Sequence, residues 1–178
     1  MSTDGINAPL ALPDQGIVYV CGEIDEELTA KVILAILGRG SGELITVYIG
    51  SEGGSVYDAL AIMQAIKVKQ AQGCQVRGEV LGYAFSSASM ILMACSPRIM
   101  HRDAWLGIHG MTSGQMGDMQ NLEADHAHNR ALVEQQARLY TEHSNVDYET
   151  WFRVLQARTV QYYSAEDALS ANLIDEVV

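Results

Sequence analysis

The sequence predicts an α/β fold, a parallel sheet wrapped by helices, and two observations carry that expectation. Short, almost continuously apolar runs rich in β-branched residues alternate with segments whose apolar positions recur at helical spacing. Small-residue turns join the two kinds of segment, as strand–helix–strand units require. A chain of 178 residues with 48% hydrophobic residues is the length of one domain and can bury a core without disulfide staples.

In chain order, residues 1–15 hold Pro9 and Pro13 without periodicity and read as a loose arm, leaving 16–178 as the single domain. Residues 17–21 form a β-branched run between Gly16 and Gly22 and predict a buried strand. Asp25 is the expected N-cap of a helix with Leu28, Val32, Ile33 and Ile36 on one face, stopping near Gly38. A second strand over 45–49 enters the turn Gly50-Ser51-Glu52-Gly53-Gly54, and a helix follows over 56–66. Residues 75–81 predict a third strand, 82–87 a small-residue turn, and 88–94 a helix. Short extended pieces are expected at 99–100 and 105–108, one long helix over 120–143, and two further helices starting at Asp147 and Asp167.

The formal charge of −11 and pI near 4.7 argue against nucleic acid and against anionic membrane surfaces, both of which need a basic face. The longest apolar stretch, 88–95, is far short of the ~20 residues that span a bilayer. Residues 1–15 lack the basic-then-apolar pattern of a secretory signal. Cys21, Cys74 and Cys95 are odd in number, widely spaced and set in apolar stretches, so they are expected as reduced core thiols. They show no metal-ligand spacing, and no cofactor or metal is expected. A cytoplasmic protein follows from these readings.

Two turns sit where α/β folds carry their sites, between a strand end and a helix start. Gly53-Gly54 lets backbone N–H groups approach a ligand closely, although adjacent glycines also suit an ordinary turn. Gly82-Tyr83-Ala84-Phe85-Ser86-Ser87 sets a serine between a strand and an apolar helix, where a serine commonly serves only as an N-cap. A serine hydroxyl becomes a useful nucleophile when a base takes its proton and donors hold the developing oxyanion. Of the five histidines, His126, His128 and His143 fall on the long helix, on expected solvated faces, and His101 falls in a polar turn. His109 ends the apolar run Trp105-Leu106-Gly107-Ile108 and precedes Gly110, which makes it both positioned and reachable.

Five elements, taken together and in order, resemble the proteolytic subunits of Clp proteases. Gly82-Tyr83-Ala84-Phe85-Ser86 resembles that family's Gly-x-Ala-x-Ser, with Ile91-Leu92-Met93-Ala94 matching the helix behind its nucleophile. Leu106-Gly107-Ile108-His109 is similar to its apolar-Met-Ile-His element, and Gly50-Ser51-Glu52-Gly53-Gly54 to Asn-Ser-Pro-Gly-Gly. Gly22-Glu23-Ile24-Asp25 resembles the entry to the first helix, and Tyr163 to Asp175 the closing stretch. The resemblance implies a crotonase-like stack of βαβ units with a protruding handle helix, here 120–143. It implies Ser86 as nucleophile, His109 as general base, and the N–H groups of Gly54 and Ser87 as oxyanion hole. It also implies a homo-oligomer of two stacked heptameric rings enclosing a chamber, peptide or unfolded-protein substrates, and an AAA+ ATPase unfoldase as partner.

Three departures accompany the match. The acid of the triad should precede Ser164 by a few residues, yet 158–163 contain no carboxylate, and Val160 occupies that place. Asp125 and Glu123 on the handle are the remaining carboxylates considered, without positional support. Ser87 stands where the family has methionine, and the arm is shorter than the family's axial loops, which bears on ATPase docking. With no acid, His109 is expected to bond a backbone carbonyl, an amide such as Gln161, or water, and turnover is expected to be slow. Two alternatives stay open: a catalytically impaired structural subunit of a mixed Clp ring, and a crotonase-type acyl-CoA enzyme.

Overall fold

A computed structural model describes residues 16–110, 119–157 and 159–178, with side chains of 119–124 excepted. The expectations for the arm and for the Glu123 side chain lie outside the described residues. The elements run β1 (Ile17–Ile24), α1 (Glu26–Leu37), β2 (Leu44–Gly54), α2 (Val56–Ala71), β3 (Gln75–Phe85), α3 (Ser87–Met93), β4 (Arg98–Met100) and β5 (Trp105–Ile108). They continue with α4 (Met119–Glu142), α5 (Tyr148–Gln156), β6 (Gln161–Ser164), α6 (Ala165–Ser170) and β7 (Glu176–Val177).

The strands β1-β2-β3-β4-β7 lie in that order, each pair parallel. The third strand, β3, forks. Its first half pairs Gly78–Val80 with β4, and its last residues, Tyr83–Phe85, pair in parallel with β5. The short β6 then runs antiparallel to β5. Alternation along β2 and β3 follows the pleat: Ile45, Val47, Ile49, Val76 and Val80 are buried within the main core, which also takes in Ile62, Ile66, Leu92 and Met93 from α2 and α3. Burying one such aliphatic side chain contributes about 1.5–3 kcal/mol, so this layer dominates the stability of the fold.

Local chemistry starts the helices where polar caps stand. Asp25 accepts from Leu28 N at 2.8 Å and Asp147 from Thr150 N at 2.9 Å. The last helix differs from expectation: its N-cap is Ser164, and Asp167 is the third helical residue, closing a reciprocal capping box. The second and third strands run longer than their apolar cores suggest. Ser51-Glu52-Gly53-Gly54 remains in β2, pairing with Glu23 and Ile24, and the expected turn at 82–87 is strand through Phe85. The ladders shift register between Cys21 and Glu23 and between Ile49 and Ser51.

Other expectations are corrected by burial. Cys74 and Cys95 are buried, and burial pushes the Cys95 thiol up to about 12, but Cys21 is exposed on the first strand. His143 is half-buried rather than solvated, and burial, reinforced by Arg98, lowers its pKa. His128 is exposed yet engaged, its ring parallel to Tyr57 and its Nε2 2.7 Å from the phenol. His101 bonds the buried Glu79 at 2.9 Å, and Arg77 pairs with the other oxygen of that carboxylate. On the long helix, Leu132 and Ala137 are buried within the chain, and Val133 and Leu139 pack against the same core. The described apolar positions of α4 are therefore met by its own fold.

Candidate active site

The site assembles at the carboxyl ends of β2 and β3, and the serine of the second turn is its most constrained residue. Ser86 has φ 54° and ψ −128°, a left-handed conformation that is costly for a residue with a side chain. Several contacts impose it. Ser86 N–H donates to the carbonyl of Gly107 at 2.7 Å, and its own carbonyl accepts from Ser89 N at 3.0 Å and from Ser89 Oγ at 2.6 Å. Ser86 occupies the N-cap place of α3, yet its side chain makes no capping hydrogen bond. The bland explanation of this serine, that it caps a helix, does not describe it.

Gly53-Gly54 lies directly beside it. A Cβ on Gly53, at φ +101°, would stand 2.7 Å from Ser86 Cβ and 2.8 Å from the Phe85 carbonyl, so only glycine permits the approach. Ser51 builds the turn with one hydroxyl, donating to Gly22 O at 2.5 Å and accepting from Gly53 N at 3.0 Å. The N–H of Ser55 goes to Ile24 O at 2.8 Å, which in a parallel ladder directs the N–H and C=O of Gly54 away from β1. That carbonyl accepts from Ser87 Oγ at 3.2 Å. Gly54 and Ser87, the pair that the resemblance implies as oxyanion hole, are thus neighbours.

The base candidate stands across a small cleft. Ser86, Ser87 and His109 line it together with Val56, Met90, Gln136 and Tyr140. Among the described residues no hydrogen bond joins Ser86 to His109. The Nδ1 of His109 lies 2.7 Å from the carbonyl oxygen of Gly110. A carbonyl only accepts, so Nδ1 carries the proton and Nε2 keeps its lone pair. Among the described residues no carboxylate comes within 4.0 Å of the His109 ring. The β5–β6 ladder ends on the pair Ile108 and Gln161, and His109 and Val160 are the next residues beyond it on either chain segment. Among the described residues no hydrogen bond or ion pair joins Asp125, on α4, to the ring.

Sequence reasoning missed two residues of the cleft, Gln136 and Tyr140. Spaced four apart, they share one face of α4, and that face turns inward. Gln136 is 4% exposed without a side-chain hydrogen bond among the described residues, and Tyr140 Oη lies 2.7 Å from Ser89 Oγ. The spacing was available in the sequence, but the helix's direction over the site was not. Among the described residues no cluster of metal-ligating side chains occurs, and no helix is long and apolar enough to cross a membrane.

The family model described as Clp protease matches residues 4–178, nearly the whole chain. The forked parallel sheet with its helices agrees with the α/β fold of that family, and the serine, histidine and glycine elements fall within the matched span. The chain belongs to the Clp protease family.

Proposed function

We propose that this member of a peptidase family is a serine endopeptidase subunit that cleaves peptides or unfolded chains through Ser86 and His109. The observation that carries the reading is the uncommitted hydroxyl of Ser86, held at φ 54° in a cleft shared with a histidine whose Nε2 is available. Ser86 Oγ attacks the scissile carbonyl as its proton passes to His109 Nε2. The N–H groups of Gly54 and Ser87 receive the oxyanion, and the same histidine then returns the proton to the leaving amine. Serine–histidine pairs that are open in a free enzyme tighten in the substrate complex. The Gly110 carbonyl orients the imidazole but places no full charge beside the imidazolium, so turnover is slow.

A second reading, a catalytically impaired subunit of a mixed ring, is favoured by one observation: among the described residues no carboxylate pairs with His109 to stabilise its imidazolium. A fluorophosphonate probe with mass spectrometry of the labelled peptide separates the two. Wild-type protein should be labelled at Ser86 and Ser86→Ala should not. Equal labelling of both would refute the peptidase reading. Assembly into stacked heptameric rings and service of an AAA+ ATPase unfoldase in the cytoplasm belong to the same proposal, supported by family membership. Sedimentation finding only a 19.4 kDa species at all concentrations would remove the ring.

A further inference from the structure

We propose that Tyr140 and Ser89 form a directed hydrogen-bond chain by which the long helix aims the oxyanion donor, making both of them positioning residues. The inference rests on the reading of Ser87 N–H as that donor. Ser89 Oγ has one proton, and at 2.6 Å from the Ser86 carbonyl it donates there. Its contact with Tyr140 Oη at 2.7 Å therefore runs the other way, with the phenol donating. The direction is fixed: Tyr140 O–H to Ser89 Oγ, and Ser89 O–H to Ser86 C=O.

The receiving carbonyl belongs to the same planar unit as Ser87 N–H, and in a trans peptide the two point in opposite directions. Fixing Ser86 O therefore fixes where Ser87 N–H points. The conformation at Ser86 does not hold itself, since φ 54° is costly for serine, so the bonds at its carbonyl decide whether the donor stays aimed. Polarising the carbonyl through two successive hydroxyls also strengthens the N–H as a donor, by ~10–30% per bond.

The far end of the chain is rigid. Tyr140 is buried and packs at a tilt of 33° against buried Trp151 with ring centres 5.0 Å apart. Trp151 Nε1 donates to Ser144 Oγ at 2.9 Å, and Ser144 Oγ donates to the Tyr140 carbonyl at 2.7 Å. Burial raises the pKa of the phenol well above its ordinary range, so it remains a donor at any working pH. Among the described residues neither hydroxyl is hydrogen-bonded to the Ser86 hydroxyl or to the His109 ring. Their effect is on the aim of a backbone group.

The test uses the full chain, the variants Tyr140→Phe, Ser89→Ala and their combination, and a fluorophosphonate probe. Both the labelling rate constant and the labelled fraction at completion are measured. Removing a whole oxyanion donor costs about 10²–10³ in rate, so misdirecting one should slow labelling about tenfold in each single variant. The double variant should be no slower, because both changes cut one chain. The tilted ring contact with Trp151 remains in Tyr140→Phe, so the final labelled fraction should match the wild type and Tm should fall by no more than about 4 °C. A merely structural role would lower the labelled fraction and Tm while leaving the rate constant of the folded molecules unchanged, and that result overturns the proposal. Multiplying losses in the double variant overturn it as well. Failure to label wild-type Ser86 removes the peptidase reading and this chain with it, whereas normal wild-type labelling with unchanged variants removes the chain alone.

Discussion

Replacing Val160 by aspartate should convert the Ser86–His109 pair into a triad. Residue 160 and His109 lie one step past the last β5–β6 pair, Ile108 and Gln161; if that register continued, their Cβ atoms would be about 4.5–5.5 Å apart and a carboxylate at 160 would come within reach of Nδ1. The gain is smaller than the ~10⁴ lost when a triad acid is replaced by an amide that enforces the wrong tautomer, because Gly110 O already holds the productive tautomer. What is missing is charge. Two unit charges ~4 Å apart attract by about 4 kcal/mol at an effective dielectric of 20 and about 1 kcal/mol in water. Val160 is 37% exposed, which places the site between those limits. A barrier lowered by about 1.5–3 kcal/mol is a rate increase of roughly 10–100-fold. Exposed substitutions usually change stability by about 0.5 kcal/mol or less, so folding should survive. The assay is hydrolysis of a short fluorogenic peptide by Val160→Asp, Val160→Asn and Val160→Asp/His109→Ala. Equal rates for the aspartate and asparagine variants, or a gain that persists without His109, would refute the reasoning.

Gly53→Ala should lose more than about 100-fold in probe labelling, since its Cβ would collide with Ser86 Cβ and the Phe85 carbonyl. Gly110→Ala should lower both Tm and labelling, because its Cβ would fall 1.6 Å from the Leu155 carbonyl oxygen and displace the group that orients His109. Glu79→Gln should lower Tm by roughly 3–8 °C at pH 7. Burial opposes the charge of Glu79, but Arg77 and His101 outweigh it and hold its pKa below the usual range. Its stabilisation is thus present above the ordinary glutamate pKa and lost as pH falls through the depressed folded value. The Tm gap to wild type, followed by calorimetry against pH, should close below about pH 4, and a gap that widens there would contradict the assignment.

The legible parts of the chain were those written in local chemistry. The Asp25 and Asp147 caps, the β-branched cores of β1 to β3 and the strand Trp105–Ile108 each declare themselves within a few residues. Serine, histidine and the glycine pair were each ambiguous alone, since a serine there commonly caps a helix and adjacent glycines suit an ordinary turn; the ordered resemblance to Clp proteolytic subunits singled them out. What stayed hidden depends on distant partners. Ser51 to Gly54 reads as a turn because glycines lack strand propensity, yet it pairs with Glu23 and Ile24. The polar-looking β6 is a strand only because β5 offers it a ladder. Tyr140 and Gln136 look like ordinary positions on a long helix until that helix is laid over the serine.

The two register shifts, one beside Cys21 and one beside Ile49, have a consequence for motion. They fall at nearly the same height, Cys21 being paired with Gly50, and so draw a line across β1 and β2. Beneath it, pairing from Ile17 to Tyr48 is unbroken and backed by the buried aliphatic layer. Above it, the backbone that holds Gly53 and Gly54 hangs on a few bonds, among them those of Ser51 and Ser55. Amide protons on the two sides of that line should exchange with solvent by different routes, the lower set when the whole molecule opens and the upper set by local fraying. The end of the sheet that carries Gly53 and Gly54 is therefore expected to loosen and re-form while the rest of it stays shut.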